Sequence, residues 1–166
     1  SIIRAMFDEG KRLAKIYGAE NVYDFSLGNP NVEPPKVIKD SIKEILDNEV
    51  PNYVHGYMNN SGFEDVRTAI AAHESEKHDM NITFESIVMT VGAAGGLNIV
   101  FKTLLNPGDE VITFAPFFGE YKNYASNYDA NLVVVAADID TFEPNIDALK
   151  SAITPKTKIV IVNSPN

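Results

Sequence analysis

The sequence contains no cysteine and no tryptophan among its 166 residues. The absence of cysteine excludes a disulfide framework, a thiolate zinc site and a cysteine nucleophile. Basic residues are also scarce. The 14 Lys and Arg are outnumbered by 23 Asp and Glu, which gives the chain a net charge of −9. This deficit argues against broad binding to nucleic acids or to anionic membranes, since both require basic faces.

Long hydrophobic runs are missing as well. The longest unbroken apolar stretches are short, such as 132–137 and 159–162, whereas a membrane span needs about 18 or more residues. The first residues already follow a helical pattern and lack the features of a signal peptide. We therefore expect an acidic, soluble and cytoplasmic protein with roughly the length of one domain, for which about 100–200 residues is usual.

Hydrophobic periodicity divides the chain into helices and strands. Helical spacing predicts helices over 2–17, about 34–46, 63–78, 93–105, 117–128 and 145–153. Short apolar runs predict strands over 87–91, 110–114, 132–136 and 158–162. An extended segment is expected at 21–27, and residues 48–61 form a long irregular crossing of the kind that often carries function.

From residue 62 onward the predicted strands and helices alternate, and the strands are apolar on both faces. That pattern is typical of a parallel sheet covered by helices on each side. The predicted fold is therefore α/β, with three layers (α-β-α) around a mostly parallel sheet. In such sheets ligands bind beyond the carboxyl ends of the strands. The terminal residues 163–166 are expected to lie at that edge, and a chain that stops there is expected to be a fragment.

The strongest local signal is the glycine-rich stretch 90–97, between a predicted strand and a predicted helix. Small residues let backbone amides approach an anion, and a helix N-terminus adds partial positive charge. A phosphate-binding turn is one interpretation, and a closely packed strand-to-helix turn is the other. A dinucleotide site is less favoured, because the spacing is G-x-x-G-G and no acidic residue ends the following strand.

Two aromatic segments are candidates for ligand contacts. Residues 114–121 follow the next strand, where an aromatic ring could lie flat over a planar cofactor, with ordinary core packing as the competing interpretation. The loop that holds Tyr53, His55 and Tyr57 is either a binding loop or a solvated turn. His73 and His78 do not share a helical face, so we expect no metal site. No serine nucleophile motif or catalytic triad spacing is present.

Taken in order, these segments resemble the class I and II, fold type I, pyridoxal-phosphate-dependent aminotransferases, the aspartate aminotransferase-like family. The resemblance extends over essentially the whole chain and rests on residues 24–30, Tyr57 with Ser61, Gly62 and Arg67, then 90–97, 106–111, 116–118 and 157–166. It implies that residues 1–47 belong to a small domain. It also implies that residues 48–166 form the first, incomplete portion of a cofactor-binding large domain.

The resemblance implies a site for pyridoxal 5′-phosphate and a transfer of an amino group between an amino acid and a 2-oxo acid. Phe118 matches the aromatic residue that stacks on the cofactor ring, and Gly28 matches a loop glycine that lies against the substrate carboxylate. Tyr57 matches a tyrosine that reaches the phosphate in the neighbouring subunit, which implies a homodimer. The residues that match the phosphate-binding turn are Gly92, Ala93 and Ala94.

Four functional residues of the family have no counterpart in this chain. They are the lysine that forms a Schiff base with the cofactor, the aspartate at the ring nitrogen, the asparagine at the ring oxygen and the arginine that binds the substrate carboxylate. We therefore expect an N-terminal fragment without catalytic residues of its own and inactive by itself. Three alternatives stay open: a lyase or decarboxylase of the same family, such as a C–S lyase; a non-catalytic effector-binding domain on the same scaffold; and a nucleotide-binding α/β module.

Overall fold

A computed structural model describes residues 2–25, 28, 30 and 32–164, apart from the side chains of Ile2 and Ile3. The chain divides into two compact units, one made of Ser1–Gly28 with Gly92–Asn166 and the other of Asn29–Val91. The boundary predicted near residue 47 concerns the domains of a larger protein and stays a prediction.

Seven α-helices, three strands and two short 3₁₀ helices, Ala19–Asn21 and Phe84–Ser86, occur in the described residues. The helices are α1 Ile2–Tyr17, α2 Lys36–Asn48, α3 Pro51–Val54, α4 Glu64–His78, α5 Gly92–Leu104, α6 Glu120–Ser126 and α7 Ile146–Ala152. The strands are β1 Glu110–Ala115, β2 Asn131–Ala136 and β3 Thr157–Ile161. In the described part of the chain, no helix is both long enough and apolar enough to cross a membrane.

The three strands form one parallel sheet with the order β2-β1-β3. In the centre of this sheet Ile112 lies between Val133 of β2 and Val160 of β3. The connections β1-to-β2 and β2-to-β3 cross the sheet in opposite directions. Right-handed crossovers then require their helices, α6 and α7, to lie on opposite faces, and the packing shows this arrangement.

Helices cover both faces of the sheet. On one face Phe101 of α5 and Tyr121 of α6 pack with Val111 of β1. On the other face Ile112 of β1 packs with residues of β2 and α7, among them Val135, Ala148 and Leu149. Because successive residues of a strand point to opposite faces, an apolar β1 sequence can fill both layers. The predicted three-layer α/β fold with a parallel sheet is therefore confirmed.

The strand predicted at 87–91 is wrong, because these residues belong to no strand. The burial predicted for these residues is also not observed, since Ile87 is only half-buried and Val91 is 94% exposed. An apolar run becomes a strand only where another strand satisfies its backbone hydrogen bonds. In the described residues this segment has no such neighbour, and Met89 N instead donates to the carbonyl oxygen of Ser61.

Three smaller differences separate the sequence predictions from the structure. The helix expected from residue 117 begins only at Glu120, because the chain turns between β1 and α6 over the preceding residues. The irregular crossing 48–61 contains the short helix α3. In the segment expected to be extended at 21–27, Asn21 ends a 3₁₀ helix and residues 22–25 form no strand, while residues 26 and 27 lie outside the described residues.

Candidate functional site

The glycine-rich turn lies at the start of α5, as the sequence predicts. Gly92 has a φ of +67°, a conformation that side chains disfavour, although a Cβ there would meet no atom within 4 Å. Glycine is therefore required by the backbone and not by a lack of space. Ala93 and Ala94 follow it, all three residues are exposed, and no acidic residue occurs in the first turn of α5. The first backbone N–H groups of a helix lack partners within the helix and attract anions.

The aromatic segment follows β1 at the carboxyl end of the sheet. Phe118 lies between the end of β1 and the start of α6 and is 52% exposed. Its ring meets the ring of Tyr121 edge to face, with 5.7 Å between the ring centres. Phe117, by contrast, packs against the core on the α5 and α6 side. The structure thus separates the two neighbouring rings, and Phe118 is the one that stays half-exposed.

A cavity of about 260 Å³ opens at the carboxyl ends of β1 and β3. The strand order reverses between these two strands, and ligands of open α/β sheets bind in crevices at such points. The buried polar residue Thr113 of β1 is among the residues that line this cavity. The other lining residues are Phe114, Phe117, Tyr121, Phe142, Glu143, Pro144, Ile161, Val162, Asn163 and Ser164.

Part of this cavity could be predicted and part could not. Asn163 and Ser164 belong to the terminal residues expected at the working edge, and both line the cavity. Pro165 and Asn166 lie outside the described residues. Sequence reasoning missed Thr113 and Phe142, because a threonine within an apolar strand and a phenylalanine in a loop give no local signal of a cavity.

The loop between β2 and α7 holds Phe142 in position through Asp138. The Asp138 carboxylate accepts hydrogen bonds from the backbone N–H groups of Thr141 and Asp140, both at 2.9 Å, and from the Thr141 hydroxyl at 3.2 Å. Phe142 N donates to the carbonyl oxygen of Asp138, and Phe142 has a φ of +59°. These bonds, the one from the Thr141 amide above all, lower the pKa of the Asp138 carboxyl below its ordinary 3.8.

This hydrogen-bonded turn predicts a pH dependence. A carboxyl whose pKa is lowered by folding stabilises the fold above its ordinary pKa, and this contribution is lost as the pH falls through the lowered pKa. We expect the amide resonances of Asp140 and Thr141 to titrate together with a midpoint below 3.8 in an NMR titration. The variant Asp138→Asn should abolish this shared titration. A midpoint at or above the ordinary value would contradict the prediction.

The two remaining candidate contact residues, Tyr57 and Gly28, are exposed. Tyr57 lies in the unit Asn29–Val91 on the loop between α3 and α4, and its side chain is fully exposed. Gly28 is also exposed, and a Cβ at this position would meet nothing within 4 Å. The turn at Gly92 and the ring of Phe118 belong to one unit, in which α5 and α6 share a core. The binding roles of all these residues stay predictions.

The histidines of α4 do not form a metal centre in the part of the chain that the structure describes, where no cluster of three or more His, Asp or Glu side chains could hold a metal ion. His78 Nε2 instead lies 3.2 Å from the carboxylate of Glu74, one helical turn away.

The sequence of this chain is similar to a known protein family. A sequence model of the family described as aminotransferase class I and II matches residues 19–166. The aspartate aminotransferase of Pyrococcus horikoshii is 29% identical over 167 residues, which cover all of this chain and 40% of that protein. A probable N-acetyl-LL-diaminopimelate aminotransferase of Bacillus subtilis is 30% identical over 148 residues, covering 89% of this chain and 37% of that protein.

A solved structure agrees with this relationship. The crystal structure of an amino transferase from Eubacterium rectale superposes with a TM-score of 0.90 at 42% sequence identity. The superposition covers all of this chain and 42% of that one. The chain therefore spans about 40% of the length of the relatives that it matches.

Proposed function

The chain belongs to the aminotransferase class I and II family, and we propose that it supplies the cofactor-binding part of a pyridoxal-phosphate-dependent aminotransferase. The reaction would transfer an amino group between an amino acid and a 2-oxo acid. The observation that carries this proposal is the family match over residues 19–166, which includes the exposed glycine turn at the start of α5 and the half-exposed Phe118 after β1.

The residues of this chain fit the cofactor that the family implies. Pyridoxal 5′-phosphate has an anionic phosphate, and the first turn of α5 offers exposed small residues without an acidic side chain. We propose that the backbone of Gly92, Ala93 and Ala94 holds this phosphate. Phe118 would lie against the ring, because its position after β1 leaves half of its surface open.

The chain's own contribution is binding and orientation. When bound, pyridoxal phosphate withdraws electrons from the reacting carbon of the amino acid. Fixing both the phosphate and the ring holds the cofactor in one orientation, which lowers the entropic cost of the reaction. We assign proton transfer to residues outside this chain, which is supported by the chain spanning about 40% of its relatives.

The proposal includes a homodimer and a cytoplasmic location. The fully exposed side chain of Tyr57 supports the first part, because it is free to contact the phosphate held by a second copy. Gly28 would approach the substrate carboxylate through its backbone, which the open space around it allows.

Activity of the full-length protein tests the proposal directly. We expect pyridoxal phosphate to bind with a change in its absorption spectrum, and amino groups to pass from amino acids to 2-oxoglutarate. The 166-residue chain, assayed beside it, is expected not to catalyse transfer. Release of a thiol and pyruvate from S-substituted cysteine, without amino transfer, would instead indicate a C–S lyase. Failure of the full-length protein to bind the cofactor would contradict the proposal.

A further inference from the structure

The unit Asn29–Val91 contains a buried arginine without an acidic partner in the described residues. Arg67 on α4 is only 7% exposed. Its Nε donates to the carbonyl oxygens of Ile87 at 2.9 Å and Phe84 at 3.2 Å, and its Nη2 donates to the Phe84 carbonyl at 2.7 Å. The guanidinium also lies 5.2 Å from the centre of the Phe84 ring. Burying a charge is costly unless hydrogen bonds compensate it, so these carbonyl contacts determine where residues 84–87 lie.

The segment that Arg67 holds lies directly before the glycine turn in the sequence. Residues 87–91 form no strand with any described residue, so their position depends on other attachments. Two attachments come from the rest of the unit: Arg67 binds the carbonyl of Ile87, and the carbonyl of Ser61 accepts a hydrogen bond of 3.0 Å from Met89 N. Residues 87–89 are therefore held by Arg67 at one end and by Ser61 at the other.

The contacts of Met89 with Ser61 and Gly62 also fix the loop that carries Tyr57. Gly62 has a φ of +96°, and a Cβ there would overlap the Met89 Cγ and lie 2.9 Å from the Met89 Cβ. The backbone at Gly62 is thus packed directly on the Met89 side chain, and only glycine fits there. Gly62 N donates to the Asn59 carbonyl at 2.8 Å, and Ser61 N to Asn59 Oδ1 at 3.2 Å. Loop residues next to Tyr57 are therefore tied to the segment that Arg67 holds.

We propose that Arg67 is a positioning residue for the loop that carries Tyr57, a candidate contact of the cofactor phosphate. The inference rests on the proposed function and adds a residue to it that touches neither cofactor nor substrate. Through the Ile87 carbonyl, Arg67 orients the segment that anchors the Tyr57 loop at Ser61. Tyr57 on this loop is the candidate phosphate contact that depends on this attachment. Lysine cannot replace Arg67, because Nε and Nη2 donate as a rigid planar fork and an ammonium group does not.

The test compares two ligands that differ only by the phosphate. In the full-length protein, Arg67→Lys is expected to weaken pyridoxal 5′-phosphate about tenfold, as loss of supporting hydrogen bonds does around metal ligands. The affinity for pyridoxal, which has no phosphate, should change by less than about twofold. A twofold change corresponds to a binding free energy of about 0.4 kcal/mol. Equal losses for both ligands, or no loss for either, would overturn the inference, because a purely structural role does not distinguish the ligands.

A control variant separates general destabilisation from positioning. Ala71 is buried on the same helix, 3% exposed, and its methyl side chain donates no hydrogen bond, so Ala71→Gly weakens α4 without removing the donors to the carbonyls of Phe84 and Ile87. Ala71→Gly should leave the ratio of the two affinities unchanged. A change in this ratio as large as that of Arg67→Lys would overturn the inference.

A second measurement decides the case if Arg67→Lys does not fold. In the unmodified protein, hydrogen exchange of the Met89 amide should be slow and should slow further when inorganic phosphate is added. No effect of phosphate on the Met89 amide, in a protein that binds pyridoxal phosphate, would overturn the positioning role alone. A protein that binds neither pyridoxal phosphate nor phosphate would overturn the proposed function, and this inference with it.

Discussion

Replacing Phe101 with alanine is expected to lower the free energy of unfolding by about 4 kcal/mol, in the range for large aromatic truncations in a core. Phe101 is fully buried, and among such residues it is one of the largest. It lies on α5, where it packs in the cluster that joins α5 and α6 to the sheet. Its removal leaves a cavity whose walls are formed by two helices and the sheet and cannot all collapse inward.

The matched control is Phe25→Ala, which removes the same atoms from a side chain that is 93% exposed. Its effect should be within about 0.5 kcal/mol, as for surface substitutions without special contacts. Urea unfolding followed by far-UV circular dichroism measures both, since the chain has no tryptophan to report by fluorescence. A loss of less than about 1 kcal/mol for Phe101→Ala would contradict the packing of α5 on the sheet.

Elements with a strong local signal could be predicted from the sequence. The helical period of α1 and the apolar runs of β1 and β2 place these elements within about one residue of their observed bounds. Asn145, predicted as the start of the last helix, is its N-cap, because its side chain accepts a hydrogen bond from Ala148 N. Such signals lie within a few neighbouring residues, so no knowledge of the rest of the fold is needed.

Features that depend on distant partners could not be predicted. The run at 87–91 has the composition of a strand, but a strand needs a neighbour, and here the contacts come from Arg67 and Ser61. The start of α6 depends on where Phe117 and Phe118 are placed by the turn after β1. Likewise, periodicity correctly predicts α2 as a helix, yet in the structure none of its residues is buried.

The candidate site likewise has one part that local sequence predicts and another part that depends on residues distant in the sequence. The glycine turn was predictable, because Gly92 needs a positive φ at the start of a helix and the local composition shows it. The cavity beside Thr113 was predictable only at Asn163 and Ser164, because it is formed by residues from β1, β3 and the loop at Phe142 that are far apart in the sequence. The role of Arg67 was equally hidden, since its hydrogen-bond acceptors are backbone carbonyls 17 and 20 residues away.

The second large effect is expected from a single charge at the glycine turn. Ala94→Asp should weaken the binding of pyridoxal 5′-phosphate by about 100-fold or more. Two unit charges about 5 Å apart repel by about 3 kcal/mol at an effective dielectric constant of about 20, and each 1.4 kcal/mol or so is a factor of ten in affinity. Ala94 is exposed in the first turn of α5, which has no acidic residue, so the new carboxylate meets the phosphate without competing charges from that turn.

The sign of the accompanying stability change makes this prediction specific. A carboxylate in the first turn of a helix stabilises the helix by about 0.3–1 kcal/mol, which offsets the poorer helix propensity of aspartate, about 0.7 kcal/mol below alanine. The melting temperature of the cofactor-free protein should therefore stay nearly constant while cofactor affinity falls. Ala94→Asn is the uncharged control of the same shape, and its affinity for pyridoxal phosphate should stay within about fivefold of the unmodified protein. A fivefold change corresponds to a binding free energy of about 1 kcal/mol. Equal affinities of the Asp and Asn variants would show that the phosphate does not bind at this turn.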